Sequence, residues 1–152
     1  MYKRILVPID GSPTSTRGLE EAVKLATLAG GSLRLLHVVN EISAAMGMPG
    51  FGEANIDVVQ LQKEGGAKLL AQARESVQAQ NIPVDTVLIE SVSGRLSDHV
   101  LAQAKQWGAE IVVLGSHGRR GLGRMVLGSD AEQIIRSSEV PVLVVREPEA
   151  AE

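Results

Sequence analysis

Short apolar runs alternate along the chain with longer stretches in which apolar residues recur every three or four positions. Ile5 to Ile9 is continuously apolar rather than alternating, the mark of a strand buried on both faces. Leu33–Val39 reads the same way, and Val84–Val92, Ile111–Leu114 and Val140–Val145 are the further strand candidates. After the first run, Ser12 is placed to cap a helix, with Pro13 at the first helical position, where a missing N–H costs nothing. Leu19, Ala22, Val23, Ala26 and Ala29 share one face of that helix, and Gly30-Gly31 ends it. Residues from about Asn40 to Ile56 carry Gly, Pro and Met without periodicity and read as a mobile loop. A second helix is expected from about Asp57 to Gln80, with Leu61, Leu69, Leu70, Ala73 and Val77 inward. Gly65 and Gly66 lie inside it, each costing about 1 kcal/mol relative to alanine, which makes that point the natural place for a kink or break. Ser93–Trp107 and Asp130–Ser137 are the remaining helices.

Strands that alternate with helices and are buried on both faces imply a doubly wound α/β fold. It is a three-layer arrangement, a parallel sheet with helices on both faces and right-handed crossovers. A length of 152 residues, 44% of them hydrophobic, suffices for one domain, expected over residues 1–147, with an acidic, frayed tail at 148–152. Aromatic residues make up only 2%, so the core must be aliphatic. The net charge of −3 gives no reason to expect nucleic acid or an anionic membrane as partner. The absence of cysteine excludes disulfides, cysteine-ligated zinc and thiol catalysis, and fits a reducing compartment. The N-terminal segment lacks the apolar region of a signal peptide. No run approaches the roughly 20 apolar residues of a transmembrane helix, so a cytoplasmic protein is expected.

The chemistry concentrates between Gly115 and Ser129, where Gly-Ser-His-Gly is followed after nine residues by Gly-Ser. A strand that empties through a glycine-rich loop into a helix N-terminus is suited to an anion. Unpaired N–H groups point outward there, the helix dipole favours negative charge, and glycine lets backbone approach a phosphate. In doubly wound sheets the ligand lies beyond the carboxyl ends of the strands, where their order reverses. That would set Pro8, Ile9 and Asp10 across from the Gly115 loop, with phosphates on the loop and Ser129 and with ribose hydroxyls on Asp10. Ser129-Asp-Ala-Glu132 also has the form of a capping box, which makes Ser129 a helix cap, a phosphate ligand, or both. Asp130 would repel a triphosphate unless its backbone N–H is used or a Mg²⁺ ion bridges. Arg119, Arg120 and Arg124 either neutralise phosphate or belong to a solvated loop.

Other chemistries fail on the residues. No Gly-x4-Gly-Lys-Ser/Thr occurs, and Val126 stands where a dinucleotide fingerprint needs its third glycine. A response regulator needs an acidic cluster after the first strand, where this chain has Asp10 alone. His37 lies in a buried strand and reads as a hydrogen-bonded core residue. His99 reads as structural or exposed, and His117 faces either ligand or solvent. No pair of histidines has metal-ligand spacing, and no nucleophile, base and orienting group assemble, so no catalytic residue is assigned.

The segments Ile5-Leu-Val-Pro-Ile-Asp-Gly-Ser12, Leu35-Leu-His-Val38, Gly115-Ser-His-Gly118, Leu127-Gly-Ser129 and Val140-Pro-Val-Leu-Val-Val145 resemble the universal stress protein family, in order from residue 3 to about 146. The spacing of Gly115, Gly118, Gly128 and Ser129 is similar to that of its ATP-binding branch. This resemblance implies a five-stranded sheet in the order 3-2-1-4-5, a site for ATP, ADP or AMP, and a homodimer through the last strand, Val140–Val145. Carried over residue by residue, it implies that Pro8, Ile9 and Asp10 line the adenosine, with Asp10 on the ribose. Val38 would offer backbone groups and an apolar wall to adenine. Leu114, Gly115, Gly118, Gly128, Ser129 and Asp130 would surround ribose and phosphates. Many relatives carry Gly-x-Pro after the third strand; Gly94-Arg-Leu96 here leaves that helix start less rigid. The function implied is that of a nucleotide-dependent sensor or regulatory module in a stress response, its downstream protein partner unspecified. A slow Mg²⁺-dependent ATPase or phosphotransferase using Asp130 with His117 or Ser129 is one rival, and a dimerisation module with an empty site is the other.

Overall fold

The computed structural model describes residues 1–40, 53–116 and 127–148, with the first residues of the second helix, 53–57, described by backbone alone. The strands are β1 (Arg4–Pro8), β2 (Ser32–Asn40), β3 (Val84–Ser91), β4 (Ile111–Gly115) and β5 (Val142–Val145). The helices are α1 (Pro13–Ala29), α2 (Glu53–Gln78), α3 (Leu96–Trp107) and α4 (Ser129–Ser137). All pairings are parallel, and the strands lie in the order β3-β2-β1-β4-β5. The acidic tail beyond Pro148 and the predicted loop over 41–52 lie outside the described residues.

Side-chain alternation divides the core in two. Ile5, Val7, Leu33, Leu35, Ile111 and Val113 pack on one face of the sheet with Ala22, Val23 and Ala26 of α1 and Leu70 and Val77 of α2. Leu6, Leu36, Val112 and Leu114 pack on the other with Val100 and Ala104 of α3 and Ala131 and Ile134 of α4. Nearly all of these residues are aliphatic, as the scarcity of aromatics requires. The basic residues after Tyr2 fasten helix ends at the opposite edge of the strands from the candidate site. Lys3 Nζ donates to the Ala29 carbonyl at the end of α1, and Arg4 Nη1 donates to the Trp107 carbonyl at the end of α3 at 3.0 Å.

The structure departs from the sequence reading in several places. Helix α2 begins at Glu53 rather than near Asp57 and runs without interruption through Gly65 and Gly66. Leu61 is 66% exposed, not inward. It lies nine residues before Leu70, half a turn round the helix at about 100° per residue, whereas the buried Gly66, one turn before Leu70, shares its inward face. Strand β5 starts at Val142, because Val140 is engaged with Ser138 Oγ through both its N–H and its carbonyl. Helix α3 starts at Leu96 rather than Ser93, after Gly94 with φ of +91°. The missing proline there is offset by side chains. Asp98 Oδ2 accepts the Arg95 N–H at 3.0 Å, and His99 Nε2 lies 2.7 Å from Ser91 Oγ and 3.3 Å from the Ser93 carbonyl.

Candidate functional site

Strands β1 and β4 stay in register for only two residue pairs, Ile5↔Ile111 and Leu6↔Val112. Beyond them β1 remains with β2 as far as Pro8↔Leu36, and β4 remains with β5 as far as Gly115↔Val145. The sheet therefore parts at its carboxyl end, between the two strands where the strand order reverses. By alternation Pro8 shares the face of Leu6, and Val38 and Leu114 belong to the cluster on that face, so the walls of the cleft look toward α3 and α4.

The first turn of α1 underlies the parting. Ser12 caps the helix, its Oγ accepting the Ser15 N–H at 3.2 Å, as the sequence predicts. Asp10 Oδ1 accepts the Ser12 N–H at 2.8 Å, closing a turn through Gly11, whose φ is +81°. The Asp10 N–H in turn donates to Ser15 Oγ at 3.0 Å. These bonds hold the Asp10 carboxylate and backbone to α1 at two points. A Cβ placed on Gly115 would lie 2.7 Å from the carbonyl carbon of Thr14 and 2.9 Å from the Ser15 nitrogen. The absence of a side chain at 115 thus accommodates α1, a packing need that the loop pattern in the sequence does not announce. Ser15 is the common contact of both halves of the site, and sequence reasoning missed it. Replacing Ser15, only 6% exposed, with alanine orphans the Asp10 N–H. A loss of about 1–3 kcal/mol is expected, measured as a lower urea midpoint with an unchanged slope.

On the β4 side the buried Ser116 joins three segments. Its N–H donates to the Val145 carbonyl at 2.9 Å and its carbonyl accepts the Gly128 N–H at 2.8 Å. That second bond clasps the two ends of the segment holding His117, Gly118, Arg119, Arg120 and Arg124, all of which lie outside the described residues. The cap of α4 is Gly128, which has no side chain of its own to bond the helix start, and Ser129 is the first helical residue. The capping-box expectation for Ser129 is thereby corrected, because the chain already turns helical at Ser129 and its hydroxyl falls one position too late. The Glu132 N–H bonds to the Gly128 carbonyl, as expected of the first helical bond, and the N–H groups of Ser129, Asp130 and Ala131 precede it. Gly128 has φ of −59°, which any residue adopts, so backbone conformation does not demand glycine there.

The structure thus brings Pro8, Ile9, Asp10 and Val38 to one side of the cleft and Leu114, Gly115 and Gly128 to the other. Ser129 and Asp130 open the helix that follows. His37 is a buried core residue whose Nδ1 lies 2.7 Å from the Ile9 carbonyl. Among the described residues no cluster of three or more acidic or histidine side chains could hold a metal ion, and no helix is long and apolar enough to cross a membrane.

Comparison with known proteins places this architecture. The sequence model of the universal stress protein family matches residues 1–146. The chain is 34% identical to universal stress protein YxiE of Bacillus subtilis over 96% of this chain and all of that one. Its fold superposes on the solved structure of MJ0577 with a TM-score of 0.86 at 27% identity, covering 99% of both chains; MJ0577 is a universal stress protein of Methanocaldococcus jannaschii. A universal stress protein of Archaeoglobus fulgidus solved in complex with dAMP has a TM-score of 0.63 at 19% identity, covering 95% of this chain and 98% of that one, a likeness of fold.

Proposed function

Because this chain belongs to the universal stress protein family, we propose that it binds an adenine nucleotide in the cleft between β1 and β4 and acts as a nucleotide-dependent sensor or regulatory module. The observation that carries the reading is the parting of these strands after two register pairs, at the point where the glycine-capped N-terminus of α4 follows the β4 loop. The wall residues suit a nucleoside. Val38 supplies an apolar surface and peptide edge for adenine, and Pro8 and Ile9 flank it. Asp10, anchored to α1, presents a carboxylate to ribose hydroxyls. Leu114, Gly115, Gly118, Gly128 and the N–H groups of Ser129 and Asp130 surround the phosphates, with Arg119 available from the loop. Asp130 and Glu132, both in the first turn of α4, oppose a bare triphosphate. ATP is accordingly taken with Mg²⁺, whereas AMP needs none.

Strand β5 is an edge of the sheet, with Leu143 exposed by 40% and Ile135 of the adjoining α4 by 43%. An apolar edge of this kind supports self-association through Val140–Val145 as a homodimer. The protein works in the cytoplasm in this reading.

The test is thermal. At 100 times Kd a ligand that binds only the folded state stabilises it by about 2.7 kcal/mol, which for a chain near this length raises Tm by roughly 5–10 °C. ATP with Mg²⁺, or AMP, should produce that rise, and denaturing freshly purified protein should release an adenine nucleotide. No shift at millimolar nucleotide together with no released nucleotide would remove the proposal.

A further inference from the structure

The ladder between β1 and β2 stops in an unusual way. Each residue of a parallel strand turns its N–H and its C=O to the same neighbour, and successive residues alternate sides. Leu36 turns toward β1, since its carbonyl accepts the Ile9 N–H at 2.8 Å. Val38, two residues on, turns to that same side. The next rung would run from the Val38 N–H to the Ile9 carbonyl, but the register of the two strands ends at Pro8↔Leu36. The Ile9 carbonyl is held instead by the side chain of His37, with Nδ1 at 2.7 Å. A carbonyl oxygen only accepts, so Nδ1 carries the proton in this bond.

The ring has little freedom to do otherwise. His37 is 8% exposed, and α2 crosses it at Gly66, where a Cβ would lie 2.6 Å from Cδ2 and 3.1 Å from Nε2. A glycine in the middle of a helix weakens that helix, and here it makes room for the imidazole. The Ile9 side chain is itself buried among the α1 and α2 residues, so the carbonyl that His37 holds belongs to a fixed point of the chain. Asp10 follows directly, bonded to Ser15 and Ser12.

We propose that His37 is a positioning residue of the nucleotide site: by holding the Ile9 carbonyl with its ring, it ends the β1–β2 ladder one rung early and keeps the Val38 peptide edge open for the purine base. This rests on the adenine-nucleotide reading above. His37 does not touch the ligand. It acts through the carbonyl that would otherwise consume the Val38 N–H. Without the imidazole donor, Ile9 and Val38 can complete the rung, which seals the edge on which the base hydrogen-bonds.

Amide hydrogen exchange of the full-length protein, stripped of bound nucleotide, tests this residue by residue, alongside calorimetric binding of AMP and of ATP with Mg²⁺ to the same stripped protein. In the wild type the Val38 amide should exchange at least about tenfold faster than the Leu36 amide, whose position in the ladder is paired. His37→Phe, which keeps a ring but no donor, should slow Val38 exchange and weaken both nucleotides by roughly tenfold. His37→Asn, whose amide can donate from about the position of Nδ1, should restore both readouts. Equal weakening of AMP and ATP marks the base end of the site rather than the phosphates. A Val38 amide as protected as Leu36 in the wild type overturns the proposal, and that measurement needs no variant to fold. Unchanged nucleotide affinity in His37→Phe overturns it too, as does weakened binding with no change at Val38. Should the wild type bind no adenine nucleotide while Val38 exchanges fast, the function proposed above fails and this role with it, a pattern distinct from failure of His37 alone.

Discussion

Gly115→Ala should destabilise the protein by about 1–3 kcal/mol, the usual cost of forcing atoms into a packed interior, and by more if α1 cannot shift. The added methyl would lie 2.7 Å from the Thr14 carbonyl carbon, 2.8 Å from its oxygen and 2.9 Å from the Ser15 nitrogen. All three are backbone atoms of a helix start that is tied down by the Ser12 cap and by the Asp10–Ser15 bond, so no side chain can rotate aside. For a chain of this size the loss corresponds to a fall in Tm of roughly 2–4 °C per kcal/mol, read by calorimetry without ligand. Gly18, on the next turn of α1, has the Gly115 nitrogen and the Leu114 carbonyl carbon 3.3 Å from its own virtual Cβ. Helix and strand are therefore in backbone contact along two glycines. An alanine at 115 that left Tm unchanged would show that α1 does not sit against β4 as described. Because the strain falls on the helix that anchors Asp10, nucleotide affinity should drop along with stability.

The two neighbouring glycines of α2 should respond with opposite signs. Nothing lies within 4 Å of a Cβ built on Gly65, whereas one built on Gly66 meets the His37 ring at 2.6 Å. Gly65→Ala should stabilise by up to about 1 kcal/mol, since alanine lowers the entropy of the unfolded chain and favours helix. Gly66→Ala should cost about 1–3 kcal/mol, because the imidazole can retreat only by loosening its bond to the Ile9 carbonyl. Paired denaturant titrations decide the matter, and the same sign for both substitutions would refute the packing of α2 across β2. Gly66→Ala should also weaken nucleotide binding, while Gly65→Ala leaves it unchanged.

These glycines show where local pattern suffices and where it does not. Both read in the sequence as helix-weakening residues, which is correct for Gly65 and incomplete for Gly66. The 3.6-residue period was sufficient to place Leu70, Ala73 and Val77 on the buried side of α2. It did not support Leu61, which the structure exposes because nine residues carry it half a turn away from Leu70. Capping was legible at Ser12, where Pro13 marks the first helical residue, and misleading at Ser129, where a glycine holds the cap position. A capping box is a four-residue signal that shifts by one place without any change in composition. His37 was legible as a hydrogen-bonded core residue from its burial in a continuous apolar run, yet its partner, 28 residues earlier, was not.

What the sequence determined by itself is the order and kind of the elements. Short continuous apolar runs bounded by turn residues read as strands covered on both faces, and such strands alternating with helices read as a parallel sheet. From that follows a cleft at the carboxyl ends, with Asp10 and the Gly115 segment in the loops that flank it. What the tertiary structure alone decided is the use made of individual residues there. It assigns Gly115 to the approach of α1, Ser15 to the Asp10 backbone, and the His37 ring to the carbonyl that ends a ladder. The physical reason is one of range. Burial and helical period are properties of a few consecutive residues, whereas the fit of a methyl group or the partner of a carbonyl is set by segments up to a hundred residues away, brought together only when the sheet assembles.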